Sequence, residues 1–235
     1  MWYTIDHMKN PWVIIGFITV VLLGAAVWYS SHAANQSNEG VVGSTQHVKG
    51  DPEAVVKLVE YSDFQCPACA AFQPVINDVL EAFGDQIHFE YKHFPLTAIH
   101  PLAEPAARAA EAAAQQGKFF EFHDKLFENQ KAWSQSPNPT AFFIRYAEEL
   151  GLDVAQFRRQ LRSSVLRDEV RADIAEGRSL ELTGTPTFFL NGQRMQIESY
   201  QDFYNQIARV VDPTFGQASG TEAVVPAAPP VRFGI

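Results

Sequence analysis

Hydrophobic positions change their period several times along the chain, and each change predicts an element. From Trp12 to Tyr29 the run is apolar, with eighteen residues free of charge. As a helix rising about 1.5 Å per residue it spans roughly 27 Å, close to the hydrocarbon thickness of a bilayer. Trp12 at one end and Trp28 and Tyr29 at the other suit the two interfaces. A cleaved secretory signal is the competing reading, with Ser31-His32-Ala33 as a small-residue cleavage site. The run exceeds the ~7–15 apolar residues usual for such a signal, which favours an uncleaved transmembrane anchor over residues 12–30. Lys9 and the α-amino group against Asp6 place the short N-terminal segment, residues 1–11, in the cytoplasm and the rest of the chain outside.

Residues 31–50 are rich in Ser, Asn, Gln and Gly without periodicity and read as a flexible linker. The folded part is expected from 51 to 211. Val55 to Tyr61 is β-branched and apolar enough for a buried strand, and Phe72, Ile76, Val79, Leu80 and Phe83 follow at helical spacing. Ile87 to Phe94 alternates as a second strand. About 99–182 is a succession of helical patterns, too long for a loop. Gly117 and Gly151 suit helix ends, while Thr140 and Asp153 suit helix starts. Thr187 to Leu190 regains strand character, and Asn191-Gly192 signals a two-residue hairpin into Gln193–Ile197. Ser199 to Val211 fits a closing helix, and residues 212–235 read as a disordered Pro/Ala-rich tail.

A formal charge of −9 argues against a nucleic-acid partner, and 46% apolar residues over 235 suffice for a core. Only two cysteines are present, Cys66 and Cys69, spaced C-x-x-C where the first strand hands over to the first helix. Unpaired N–H groups and the positive end of a helix dipole favour a thiolate at Cys66. Cys69, one turn inside, is placed to resolve a mixed disulfide, so the pattern points to thiol–disulfide exchange. A zinc knuckle is the alternative. It would need two further ligands from His47, His88, His93, His100, His123 or carboxylates, and none stands at a partner spacing in sequence. His93 is expected to be satisfied by packing and a hydrogen bond.

The order β, α, β, helical block, β, β, α, with Gly184-Thr185-Pro186-Thr187 just before the third strand, resembles the thioredoxin fold with a helical insertion, as in DsbA-like thiol–disulfide oxidoreductases. Tyr61 to Cys66, Lys92-His93-Phe94-Pro95-Leu96, Gly117-Lys118-Phe119-Phe120 and Thr183 to Phe189 are similar to membrane-anchored bacterial members. The fold class expected is therefore α/β, a central mixed sheet with an inserted all-helical subdomain behind one transmembrane helix. The resemblance implies a redox disulfide Cys66–Cys69 with Cys66 as nucleophile and Cys69 as the buried partner. It also implies a cis bond between Thr185 and Pro186 beside the sulfurs, leaving the Thr185 backbone for an extended substrate. Glu60, at the end of the first strand, corresponds to a buried acid that assists proton movement at the inner cysteine.

Family members that are strong oxidases carry a histidine between the cysteines, where Pro67-Ala68 stands here. Cys66 is accordingly expected to be acidic but less extreme. The implied activity is donation of the disulfide to exported cysteine-containing proteins outside the cytoplasm by a monomer, with reoxidation by a quinone-linked membrane partner. No cofactor and no metal are expected. The rival readings are a membrane-fed reductase or isomerase on the same fold, and a metal-binding or chaperone module without turnover.

Overall fold

A computed structural model of the protein describes residues 11–38, 40–43 and 46–216. The expectations for residues 1–10 and for the tail beyond 216 lie outside the described residues. Helix α1 (Pro11–Asn38) contains the apolar run, and its stretch Ile14–Ala33 is long and apolar enough to cross a membrane. Its large side chains, Trp12, Phe17, Leu22, Leu23 and Trp28 among them, are exposed.

The sheet is built from β1 (His47–Gly50), β2 (Val56–Ser62), β3 (Ile87–His93), β4 (Thr187–Leu190) and β5 (Gln193–Arg194), in the order β1-β3-β2-β4-β5. β2 and β3 run parallel, joined over one face by α2 (Pro67–Phe83), and the other pairings are antiparallel. β2 thus lies at the centre, which is why its carboxyl end can carry a buried site. Leu58, Phe89 and Phe188 meet Phe72, Ile76 and Val79 of α2 and Phe203 and Ile207 of the closing helix α9 (Tyr200–Val211) in one core.

Between β3 and β4 come six helices: α3 (Ala103–Ala114), α4 (Phe119–Glu128), α5 (Gln130–Ser134), α6 (Pro139–Glu149), α7 (Val154–Gln160) and α8 (Ser164–Ser179). Alanine covers the buried face of α3, with Ala106, Ala109, Ala110 and Ala113 sealed. Small side chains there let α4, carrying Phe122 and Leu126, pack closely. Asp153 caps α7 through Gln156 N, and Gly151 takes a positive φ of 72° before it. Asn191 and Gly192, at φ 49° and 79°, form the hairpin turn.

Three local expectations are corrected. Residues 31–50 are not one tether: α1 continues to Asn38, and His47–Gly50 forms the edge strand β1, paired antiparallel with β3. The Asn38 amide holds the helix end to the domain by donating to Ser164 Oγ (2.9 Å) and accepting from Ser163 Oγ (2.8 Å) and Ser164 N (3.0 Å). α6 starts at Pro139 with Asn138 as its N-cap residue, not Thr140, because proline is pre-set for a first helical turn. The strand expected over Gln193–Ile197 keeps only Gln193 and Arg194 as β5; Met195 N still donates to Phe188 O (2.9 Å), and the chain then leaves the sheet towards α9.

Candidate functional site

Cys66 is the N-cap residue of α2, in extended conformation (φ −72°, ψ 121°), and Pro67 opens the helix. The fold brings the loop before β4 against it: Thr185–Pro186 is a cis peptide bond, and Cys66 Sγ lies 3.4 Å from the Thr185 carbonyl oxygen. Both cysteines are free thiols; Cys69 is fully sealed, while Cys66 retains 7% of its surface. The pair has opposite acidities. A hydrogen bond from the Cys69 side chain, outweighing partial burial, holds Cys66 down at about 6, helped by the Thr185 side chain and the backbone N–H groups of Cys69 and Ala68. Burial pushes Cys69 far up, and its proximity to the Cys66 sulfur adds to this. The Thr185 hydroxyl, buried and unpartnered beside a thiol, becomes a donor when Cys66 ionises.

Glu60 sits at the carboxyl end of β2, fully buried, and accepts a hydrogen bond from Ser62 Oγ at 2.7 Å. Burial raises its carboxyl to about 8 against the opposing hydrogen bonds of Ser62 and Gln73. Its charge acts on the acidity of Cys69, as does the Ser62 hydroxyl, so the acid and the inner thiol belong to one buried group. Burial also raises the Tyr91 phenol on neighbouring β3, where the charges of Glu60 and Cys69 reinforce it.

Several supporting residues were missed from sequence. Asp63 Oδ1 accepts from Gln65 N (2.7 Å), while its Oδ2 accepts from Leu96 N and meets His100 Nδ1 (both 2.8 Å), tying the cysteine loop to the segment after β3. Gln130 of the helical insertion donates to the carbonyls of Phe64 (2.9 Å) and Cys66 (2.8 Å). Asp63 had a local signal, an aspartate two residues before a turn amide. Gln130 had none, because only tertiary packing brings α5 over the loop.

The histidines do not gather at the cysteines. Among the described residues, the one group of three His, Cys, Asp or Glu ligand atoms close enough to share an ion is His47, His93 and Glu111, all buried. The histidines thus show no partner spacing along the chain, yet two of them meet in the fold, away from the cysteines. His47 pairs in register with Tyr91, so it shares one face of adjacent strands with His93, a relation that linear spacing hides. His93 is satisfied as expected, its Nε2 2.9 Å from Glu111 Oε1.

A family model described as Thioredoxin matches residues 43–209. The thioredoxin-like oxidoreductase from Silicibacter pomeroyi DSS-3 superposes with a TM-score of 0.60 at 27% identity, covering 72% of this chain and 92% of that one. Oxidised BdbD from Bacillus subtilis gives a TM-score of 0.60 at 22% identity, covering 74% and 97%, and shares the fold. A curated relative, the Na(+)/H(+) antiporter NhaA 1 of Mycobacterium sp. (strain KMS), is 42% identical over 152 residues, which are 63% of this chain and 24% of that protein. The chain thus spans about a quarter of the length of the curated relatives it matches.

Proposed function

Because the chain belongs to the thioredoxin family, with its match running from 43 to 209, we propose that it is a thiol–disulfide oxidoreductase of the DsbA type, held at the outer face of a membrane by α1. The observation that carries the reading is the meeting of Cys66 Sγ with the Thr185 carbonyl at the N-terminus of α2, over a sealed Cys69. An acidic outer thiol with 7% of its surface open, above a fully sealed, weakly acidic inner one, is the arrangement that two-step exchange uses.

In the direction proposed, a substrate thiolate attacks Cys66 of the Cys66–Cys69 disulfide. The Cys66–Cys69 bond breaks, a mixed disulfide forms, and Cys69 leaves as a thiolate. Glu60, protonated at neutral pH, is placed to supply that proton. A second substrate thiolate then displaces Cys66, which leaves readily because its own thiolate is stabilised. The substrate thiols have lost two electrons to the protein and released two protons to solvent; one of these restores Glu60, and the pair is left as a Cys66 thiolate over a Cys69 thiol. Exported proteins bearing cysteines are the substrates this implies, and a quinone-linked membrane protein is the oxidant that would restore the disulfide. Extended substrates have the Thr185 backbone to pair with.

The rival on the same fold is a membrane-fed reductase, which would use these residues in reverse. Pro67-Ala68 places no histidine beside Cys66, and this favours a milder oxidant over a strong one. Ion transport is named for the whole of the antiporter relatives; the reading of this chain rests on its thiols.

The test is the reduction potential of the full chain in detergent, equilibrated in glutathione buffers, alongside oxidation of a reduced unfolded protein. A potential well above thioredoxin's value of about −270 mV, with substrate disulfides formed, is expected. A potential near that value sinks disulfide donation and leaves the reductase. Cys66→Ser should abolish exchange in either direction.

A further inference from the structure

We propose that His47, His93 and Glu111 form a binding site for a divalent transition-metal ion of the zinc class, separate from the two thiols. Three elements build it. The antiparallel register of β1 and β3 puts His47 opposite Tyr91 and therefore beside His93 on one face of the sheet, and α3 lays Glu111 across both. His47 Nε2 lies 2.5 Å and His93 Nε2 2.9 Å from the same oxygen, Glu111 Oε1, and the three ligand atoms fall within 4.8 Å of one another. Their exposures are 6%, 1% and 3%, so no surface flexibility is needed to bring them together.

The ring planes are already fixed. His47 stacks on Phe119 with centroids 3.4 Å apart, and His93 stands edge-on to Tyr91 at 5.3 Å. The His93 backbone N–H donates to Asp173 Oδ2 at 2.9 Å, anchoring the strand end from the α8 side. Tetrahedral coordination at zinc–nitrogen and zinc–oxygen distances of about 2.0–2.1 Å separates ligands by roughly 3.3 Å. The two imidazole–carboxylate contacts therefore open by less than about 1 Å to admit an ion between them.

A cavity of about 240 Å³ gives access and room for a fourth ligand. His47 and Glu111 line it together with Glu90, Glu169, Asp173 and Glu176, against a single basic side chain, Lys92. The surplus of carboxylates raises the local concentration of cations at its mouth. Two imidazole nitrogens with one carboxylate select a borderline metal over calcium or magnesium, which prefer all-oxygen shells. Three protein ligands with water in the fourth position describe an open, exchangeable site rather than a closed structural one. Coordination displaces the hydrogen on each Nε2: a neutral ring shifts it to Nδ1, and a charged ring releases it to water. The bound ion would pin edge strand β1 to β3 and α3.

The experiment titrates Co²⁺ into the full chain in detergent after oxidising Cys66 and Cys69 to the disulfide, which removes both thiolates as ligands and makes the outcome independent of electron direction. One equivalent should bind with the visible bands of a tetrahedral nitrogen–oxygen site and no thiolate charge-transfer band, and Zn²⁺ should displace it. His47→Gln should weaken binding by about tenfold or more. Two results overturn the proposal: identical isotherms for wild type and His47→Gln, or only the pale spectrum of weak octahedral binding to the wild-type chain. The second needs no variant, so poor folding of His47→Gln cannot obscure the answer.

Discussion

Glu60 and Glu111 are the two buried glutamates among the described residues, and their surroundings drive them to opposite charge states. Burial lifts Glu60 to about 8, because one serine hydroxyl and a nearby amide cannot replace the water lost. Burial pushes Glu111 the same way, yet hydrogen bonds from His47 and His93 overcome it and hold the carboxyl at about 2. Depth in the core does not set the charge of an acid; the donors facing it do. Beside the cysteines a carboxyl that gains and loses a proton near neutrality is useful, whereas between β1 and α3 a permanent anion is.

The comparison breaks most visibly at Glu111. Its ordinary value of 4.5 falls to about 2 on folding, so it contributes stability above pH 4.5 that is lost as the pH drops through 2. Glu111→Gln should lower unfolding stability at pH 7 by about 3 kcal/mol, since two imidazoles lose a charged acceptor. The gap should narrow in acid, to roughly half or less at pH 3. Guanidinium unfolding at pH 7 and pH 3 reads both, and a gap of equal size at the two pH values would show that Glu111 is not held as an anion.

Glu60→Gln should act in the reverse sense and at the other end of the pH scale. A carboxyl raised from 4.5 to about 8 stabilises the fold fully below pH 4.5, and that contribution is lost as the pH rises through 8. Wild-type stability should decline between pH 5 and 8, and the amide variant, with nothing to ionise, should be more stable by roughly 4 kcal/mol at pH 8. Its thiol exchange should nevertheless slow. Parallel stability curves for the two proteins across this range would remove Glu60 from the buried proton-carrying group.

Thr185→Val tests the smallest difference, the single hydroxyl that sharpens the outer thiol against the inner one. Losing a hydrogen bond of about 1 kcal/mol should move the Cys66 midpoint from about 6 towards 7. The rate of iodoacetamide alkylation against pH measures it. An unmoved midpoint would leave the acidity to Cys69 and the helix N-terminus alone.

The two glutamates also differ in how far sequence exposes them. Cys66 and Cys69 lie at a local signal, a cysteine pair where a strand hands over to a helix, and Glu60, Thr185 and Pro186 are reached through the family resemblance of the segments that carry them. Glu111 and His47 have no such mark. Glu111 sits in an alanine-rich helix where an acidic residue reads as a solvated face, although α3 is buried nearly all round. His47 falls in a polar stretch of four strand residues whose role appears only when β3 offers a free edge. Gln130 and Asn38 share this character: a polar side chain in a helix becomes informative only once the packing shows which backbone groups it meets.

Asn38 has a mechanical consequence. With Ile14–Ala33 in a bilayer, only five further residues, about 7 Å of helix, separate the lipid from the Ser163–Ser164 corner. A leash would let the catalytic head roam; a short stiff stalk bolted at both ends holds it low and at one heading. Under the proposed function, clients would then have to arrive sideways along the membrane surface, and the proposed redox partner in the same lipid would find Cys66 at a constant height.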